Sequence, residues 1–556
     1  MNNLQPGRAP VYEMLEQYRV ENHISFHVPG HKNGQAYHGT GGAGYLDEVM
    51  KHDVTEITGT DDLHHPEGVI QEAQALAADC FGAEESFFLV GGSTAGNLAL
   101  ILTVCPEPGM IVILQRNVHK SVIHGLMLAG AKAVFLEPLM DHSSGLAVAP
   151  AAESVRAALA AHPEAAAVLV TMPNYYGMGS DLAPLAEACH GSGVPLLVDE
   201  AHGAHYGQHP ALPAGALACG ADGVVQSTHK MLPALTMGAM LHVQGPRLDR
   251  ALLRQRLAMV QSSSPSYPVM ASLDLARRLV HSQRAGAFTA GIAAVDKLRR
   301  GLAELPRYGL LQPAGPLQLS GGAAPAAGEG APPPGTAAYC TQDPFKAVIY
   351  DAAGVLTGFE LQRRLETKGI VPEMSDNRHV VLAFSLGSTT EEAERLLAAL
   401  AEIAAEVPGL LVEPGATDSR QPELSGARSA PGSIRSLMEA AWLNTPEEGP
   451  KAAANHSTWN NFSSHPISDP VPFSLKPVNP RETESIFLEY SVGRVAAEMV
   501  IPYPPGIPLL YPGEKITEAV QSRLSGLSKG GAKFQACSDP ALQHIRVYNH
   551  KKGGEE

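Results

Sequence analysis

Ser93, His119, Asn174, Asp199, His202 and Lys230 each stand just beyond a short apolar run that reads as a buried strand. Those runs are 86–90, 110–114, 167–170, 194–198 and 223–225. A lysine at the end of a core strand is poorly solvated. Burial disfavours its charged form and makes the amine a better nucleophile, which is what a Schiff-base lysine requires. Taken alone, Lys230 can equally be a side chain that snorkels to the surface. Its companions argue otherwise. Gly91-Gly92-Ser93-Thr94-Ala95-Gly96-Asn97 ends one strand and opens a helix, so free amides and hydroxyls converge where a phosphate could sit. Asp199 can hold a protonated ring nitrogen, and His119 can lie flat over a ring.

An aldehyde-capturing lysine, a carboxylate, a phosphate cup and a flat group are the needs of one cofactor, pyridoxal phosphate. His229 and Ser227, beside Lys230, can add phosphate or lysine contacts. A metal reading competes through Asp199, His202, His205 and His209. No His-x-x-x-His helical register and no paired carboxylates accompany them, so no metal is expected. His205 and His209 read as packing or surface histidines, and His202 as the functional one, if only to orient Asp199.

The elements that must position these groups alternate. Helices are expected over 69–81, 91–105, 151–161 and 181–190, between the strands and a further one at 238–243. Strand–helix alternation means an α/β domain with a mostly parallel sheet and helices on both faces. Ligands of such sheets bind beyond the carboxyl ends of the strands, where these residues fall.

Composition narrows the partners. The chain has 556 residues, 44% hydrophobic and 17% charged, which suits more than one globular domain. A net charge of −16 argues against nucleic acid. The six cysteines include no CxxC pair and read as thiols in a reducing compartment. No leader and no membrane-spanning run is evident, so the expected location is the cytoplasm.

Several motifs occur in a fixed order: Pro29-Gly30-His31-Lys32, Asp61-Asp62-Leu63-His64, Arg116-Asn117-Val118-His119-Lys120-Ser121, Val198-Asp199-Glu200-Ala201-His202-Gly203, Ser227-Thr228-His229-Lys230 and Tyr503-Pro504-Pro505-Gly506-Ile507-Pro508. Together they resemble the Orn/Lys/Arg decarboxylase family of fold type I (aspartate aminotransferase-like) pyridoxal-phosphate enzymes, most of all its short bacterial arginine decarboxylase branch. The likeness covers about 10–290, 343–405 and 481–550. It implies Lys230 as the Schiff-base lysine, Asp199 on the pyridine nitrogen and His119 stacked on the ring. It also implies Ser93, Thr94, Ser227 and His229 near the phosphate, and His202 beside the ring. The substrate would be a basic amino acid, arginine before lysine or ornithine, with the product feeding polyamine synthesis. His229 or Lys230 would return the proton. The long members carry an N-terminal wing domain, which this chain is expected to lack, so a homodimer is expected rather than a large ring. Asn174 and the Gly91-Gly92 pair depart from the commoner family pattern.

The organisation expected is an N-terminal segment 1–60, a large cofactor-binding domain 61–290, and a small α/β domain 291–410 with a flexible Ala/Gly/Pro-rich insertion 313–336. A low-order linker 411–480 and a C-terminal α+β domain 481–556 follow. Helices 358–368 and 390–405 and strands 347–350 and 380–384 belong to the small domain. Glu373 and Asp376 match a family motif, although a solvated turn would also explain them. Glu514, after the proline-rich run, is the expected partner of the substrate's distal cation. The alternatives are another fold type I enzyme, an aminotransferase or lyase, and a degenerate homologue without catalysis.

Overall fold

The computed structural model of the chain describes residues 4–313, 338–407, 467–503 and 506–549. Its large sheet is built from β1 (Glu85–Leu89), β2 (Ile111–Gln115), β3 (Lys132–Leu136), β4 (Ala167–Thr171), β5 (Leu196–Asp199), β6 (Gly223–Gln226) and β7 (Ala239–Val243). They lie side by side in the order β1-β7-β6-β5-β4-β2-β3. The five strands from β6 to β3 are parallel. β7 runs antiparallel to both β1 and β6, which the alternation pattern alone does not reveal.

The sheet is apolar on both faces because helices cover both. Leu197, Leu169 and Val225 pack with Leu100, Val122 and Ile123 on one side. Leu196, Val198 and Val224 pack with Val155, Leu159 and Leu185 on the other. The first face is covered by helices Gly92–Val104 and Lys120–Ala129, the second by Ala152–Ala161 and Ala183–Gly191. Gly96 is needed where the first of these meets the sheet. A Cβ there would lie 2.8 Å from both Leu89 and Val225. The N-terminal helix Pro10–Glu21 docks Val11 and Leu15 into a further core with helix Tyr267–Gln283.

A separate four-stranded antiparallel sheet is built from β8 (Tyr308–Leu310), β9 (Lys346–Asp351), β10 (Met374–Ser375) and β11 (His379–Ala383), ordered β8-β9-β11-β10. Helices Gly358–Thr367 and Thr390–Glu406 pack on it, each opened by a threonine–glutamate capping box.

The insertion 313–336 lies outside the described residues apart from residue 313, and the linker stretch 413–436 lies wholly outside them. The end of the expected linker is ordered differently. Residues Val471–Pro472 form β12, antiparallel to β3, and close that edge of the large sheet. Phe473 then buries itself beside Phe135 and Tyr511. A two-residue strand carrying a proline has little periodic signal, and a free sheet edge supplies what the sequence lacks.

The C-terminal part pairs β13 (Thr483–Phe487) with β16 (His544–Tyr548) and β14 (Ile501–Tyr503) with β15 (Lys533–Gln535) around helix Glu518–Lys529. Among the described residues no helix is long and apolar enough to cross a membrane.

Candidate active site

The carboxyl ends of β5 and β6 bring the principal groups together. β6 ends at Gln226, and the chain turns at once into a single helical turn, Thr228–Met231. That turn aims Lys230 back over the sheet, where its Nζ lies 3.1 Å from His202 Nε2. Burial lowers the proton affinity of Lys230, and the neighbouring Lys346 adds to this, while Asp199 opposes it. His202 is buried and held far below the usual imidazole range by desolvation and then by Lys230. It is therefore neutral, with Nε2 able to accept from the amine. The Tyr175 ring leans on it at 4.5 Å and stands 5.6 Å from Lys230 Nζ.

Asp199, last residue of β5, is only 3% exposed. Its carboxylate accepts from Asn97 Nδ2 at 2.9 Å and from the amide of Ala201 at 3.2 Å. Desolvation nevertheless raises its pKa. The network extends further. Asn97 Nδ2 also donates to Ser121 Oγ at 2.9 Å, and Ser121 Oγ lies 2.8 Å from His119 Nδ1. His119 caps helix Lys120–Ala129 by accepting from the Ser121 amide. A ring nitrogen used as acceptor cannot carry a proton, and burial accordingly pushes His119 down to about 3.

Ser93 stands in the first turn of helix Gly92–Val104, and Ser227 Oγ donates to Ser93 Oγ at 2.8 Å. Thr94 is exposed on the same turn. His229 Nδ1 donates to the Gly238 carbonyl at 3.0 Å, and its pKa is lowered by burial. The C-terminal part also reaches this rim. The Lys120 amide donates to the Gly506 carbonyl at 3.2 Å, and a Cβ on Gly506 would lie 3.3 Å from His119 Nε2. Residues Pro504 and Pro505 of the proline-rich run lie outside the described residues.

This arrangement fits pyridoxal phosphate. Asp199 is a buried carboxylate with two donors and, among the described residues, no cation within ion-pair distance. A protonated pyridine nitrogen would satisfy it. Ser93 and Ser227 meet at a helix N-terminus, where a phosphate is stabilised. Lys230 is a desolvated amine.

Asn174, read as a rim group, and the two histidines read as packing or surface groups are each engaged within the chain. Asn174 donates to the Ala147 carbonyl and accepts from the amides of Tyr176 and Met178, so its amide shapes the loop that presents Tyr175. His205 is buried against Asp343 at 3.0 Å, and His209 Nδ1 accepts from the Ala211 amide. Among the described residues no three His, Cys, Asp or Glu side chains could share a metal ion.

Glu514 is engaged within its own chain. Both its oxygens accept from Arg116 Nη2, at 2.9 and 3.0 Å, and one also accepts from the Tyr511 amide at 2.7 Å. Arg116 is itself stacked 4.1 Å over the Tyr511 ring. The cation that Glu514 meets here belongs to its own chain, in a clamp that joins the end of β2 to the C-terminal part.

Asn97, Ser121, Tyr175 and Lys346 were not singled out in the sequence. Asn97 follows Ser93 by one helical turn, and Ser121 follows the capping His119 by two residues; those spacings were the available signal.

Comparison with known proteins identifies the family. Residues 9–392 match the family described as Orn/Lys/Arg decarboxylase, major domain, and residues 474–535 match its C-terminal domain. The chain is 36% identical over 521 residues to the uncharacterized protein YaaO of Bacillus subtilis, covering 93% of this chain and 94% of the relative. It is 31% identical over 545 residues to an arginine decarboxylase of the same organism, covering 98% of each. A lysine decarboxylase of Francisella novicida shares the fold with a TM-score of 0.73 at 20% identity, over 99% of this chain and 82% of the other.

Proposed function

The chain belongs to the Orn/Lys/Arg decarboxylase family of pyridoxal-phosphate-dependent carboxy-lyases, and on that premise we propose that it converts arginine to agmatine. The observation that carries the choice of arginine is the full-length likeness to relatives bearing that name. Agmatine production would feed polyamine synthesis.

Lys230 is the residue for the cofactor's aldehyde, Asp199 for its ring nitrogen, His119 for its face and His202 for its edge. Ser93, Thr94, Ser227 and His229 are the phosphate contacts. Bound there, the cofactor supplies a sink for the electron pair that the departing carboxylate leaves behind. Asp199 keeps a proton on the ring nitrogen, and the arrival of that cation offsets the burial that raises its pKa. Asn97 and the Ala201 amide fix the direction of the carboxylate. His202 Nε2, neutral and 3.1 Å from Lys230 Nζ, accepts a hydrogen bond from the amine and holds it in place, while burial favours the uncharged amine that acts as a nucleophile. Lys230 then returns the proton that replaces carbon dioxide at Cα. His229 is less suited to that step: its Nδ1 proton is donated to the Gly238 carbonyl, and burial keeps the ring neutral.

Residues 61–290 serve as the cofactor-binding domain, 291–410 as the small domain and 481–556 as the C-terminal domain, in a cytoplasmic homodimer. Supporting the dimer, Ile24, Phe26 and Val28 stand 85%, 92% and 63% exposed on one arm, an apolar surface that a second copy would cover.

The test is carbon dioxide release by purified protein supplied with pyridoxal phosphate, run in parallel on arginine, lysine and ornithine. Release from arginine alone, lost in Lys230→Ala, is the expected result. Release from lysine or ornithine instead overturns the substrate, and release from none overturns the activity.

A further inference from the structure

We propose that Lys346, on the small domain, is the anchor for the substrate's α-carboxylate; this rests on the decarboxylase reading above. Lys346 opens β9 and is only 3% exposed. Buried lysines are ordinarily paired. Lys346 Nζ makes no hydrogen bond or ion pair among the described residues.

Its backbone is pinned to the site. The Lys346 carbonyl accepts from Gln342 Nε2 at 3.2 Å, and the same Nε2 donates to the Tyr176 carbonyl at 2.7 Å. The Asp343 amide donates to the Gly177 carbonyl at 2.8 Å. A Cβ on Gly177, whose φ is +79°, would lie 2.6 Å from Lys346 Cβ, so only glycine lets the two segments approach this closely. This is the loop that carries Tyr175 to 5.6 Å from Lys230 Nζ. Lys346 thus lies directly behind the wall of the site, and its charge lowers the proton affinity of both Lys230 and His202.

Burial lowers the proton affinity of Lys346, and two acidic groups oppose this, Asp343 and Glu373. Asp343 Oδ1 is committed to His205 Nε2 at 3.0 Å and the Phe345 amide at 2.9 Å. Glu373 is exposed, on the turn before β10. A desolvated ammonium with no ligand of its own selects a small anion. A basic amino acid carries one carboxylate and two cationic groups. Lys346 repels the distal cation, so the end that turns toward it is the carboxylate. Decarboxylation removes that anion, so the product holds the site less tightly than the substrate and leaves.

The test uses ligands that lack the α-amine and are not turned over. Binding to the holoenzyme is compared within two pairs that differ only by a carboxylate: 5-guanidinopentanoate against butylguanidine, and 6-aminohexanoate against pentylamine. The wild type is expected to favour the carboxylate-bearing member of at least one pair by roughly tenfold or more, about 1.4 kcal/mol. Lys346→Met should erase that preference while the visible band of the bound cofactor persists, and Lys346→Arg should restore part of it. A wild type without the preference, or a Lys346→Met protein that keeps it, overturns the proposal. Failure of the decarboxylase reading would be seen separately, as absence of carbon dioxide release from all three basic amino acids.

Discussion

At the scale of single residues, the site is held by amides and hydroxyls more than by charges. Asn97 is the clearest case. One NH2 group donates to both Asp199 and Ser121, and through Ser121 it reaches His119. Replacing it by leucine leaves Asp199 buried with the Ala201 amide as its remaining donor. Losing a partner of a buried charged group costs about 1–3 kcal/mol. Asn97→Leu should therefore weaken pyridoxal phosphate binding roughly tenfold to a hundredfold, measured by visible absorbance titration of the apoprotein. Unchanged affinity in a folded variant would show that Asp199 is oriented by something else. Residues of this kind are hard to find in a sequence. Ser93, Asp199, His202 and Lys230 each stand at or just past the end of a strand, so topology alone delivers them to one rim. Asn97 and Lys346 sit inside regular elements, and only tertiary packing reveals what they face.

At the scale of elements, four neighbouring strands share a buried polar chain. Glu200, just past β5, accepts from Gln226 Nε2 of β6 at 2.7 Å; Gln226 Oε1 lies 3.1 Å from His242 Nε2 of β7; His242 Nδ1 lies 2.7 Å from Ser86 Oγ of β1. Burial raises Glu200 to about 8 and lowers His242 to about 3. Their effects on stability have opposite signs. Glu200 has a raised folded pKa, so its contribution is complete below about 4.5 and is lost as pH rises toward 8. His242 has a depressed folded pKa, so its contribution is complete above about 6.5 and is lost as pH falls toward 3. Each slope is at most about 1.4 kcal/mol per pH unit, so the two cancel between about 4.5 and 6.5. Above that window Glu200 acts alone. Glu200→Gln, which keeps the chain with its amides reversed, should gain stability relative to the wild type between pH 6.5 and 8, read from urea midpoints. Equal pH dependence in both proteins would remove Glu200 as the cause. The strands themselves were legible as apolar runs, and helices such as Val69–Phe81 fell where their periodicity put them. The reversed direction of β7 and the edge strand β12 were not, because strand direction and edge pairing depend on neighbours distant in the chain.

At the scale of the whole molecule, the C-terminal part is joined to the large sheet by a clamp at the end of β2. Arg116 lies between the aromatic ring of Tyr511 and the carboxylate of Glu514, with its Nη1 donating to the Pro508 carbonyl at 3.1 Å. Lys120 adds a contact to Gln535 and its amide holds Gly506 beside His119. The clamp thus determines whether the C-terminal segment reaches the site at all. A buried ion pair contributes little net stability when intact, but removing one partner strands the other and costs about 3–5 kcal/mol. Glu514→Ala should lower the thermal midpoint and expose the chain near residue 506 to limited proteolysis. Glu514→Gln, which retains a hydrogen-bond acceptor for Arg116, should lose less. A residue that bound the substrate's distal cation would behave differently: its loss would raise KM steeply and leave the melting temperature and proteolytic pattern untouched. A protein with the second behaviour would return Glu514 to the substrate and break the connection drawn here between domain docking and the completeness of the site.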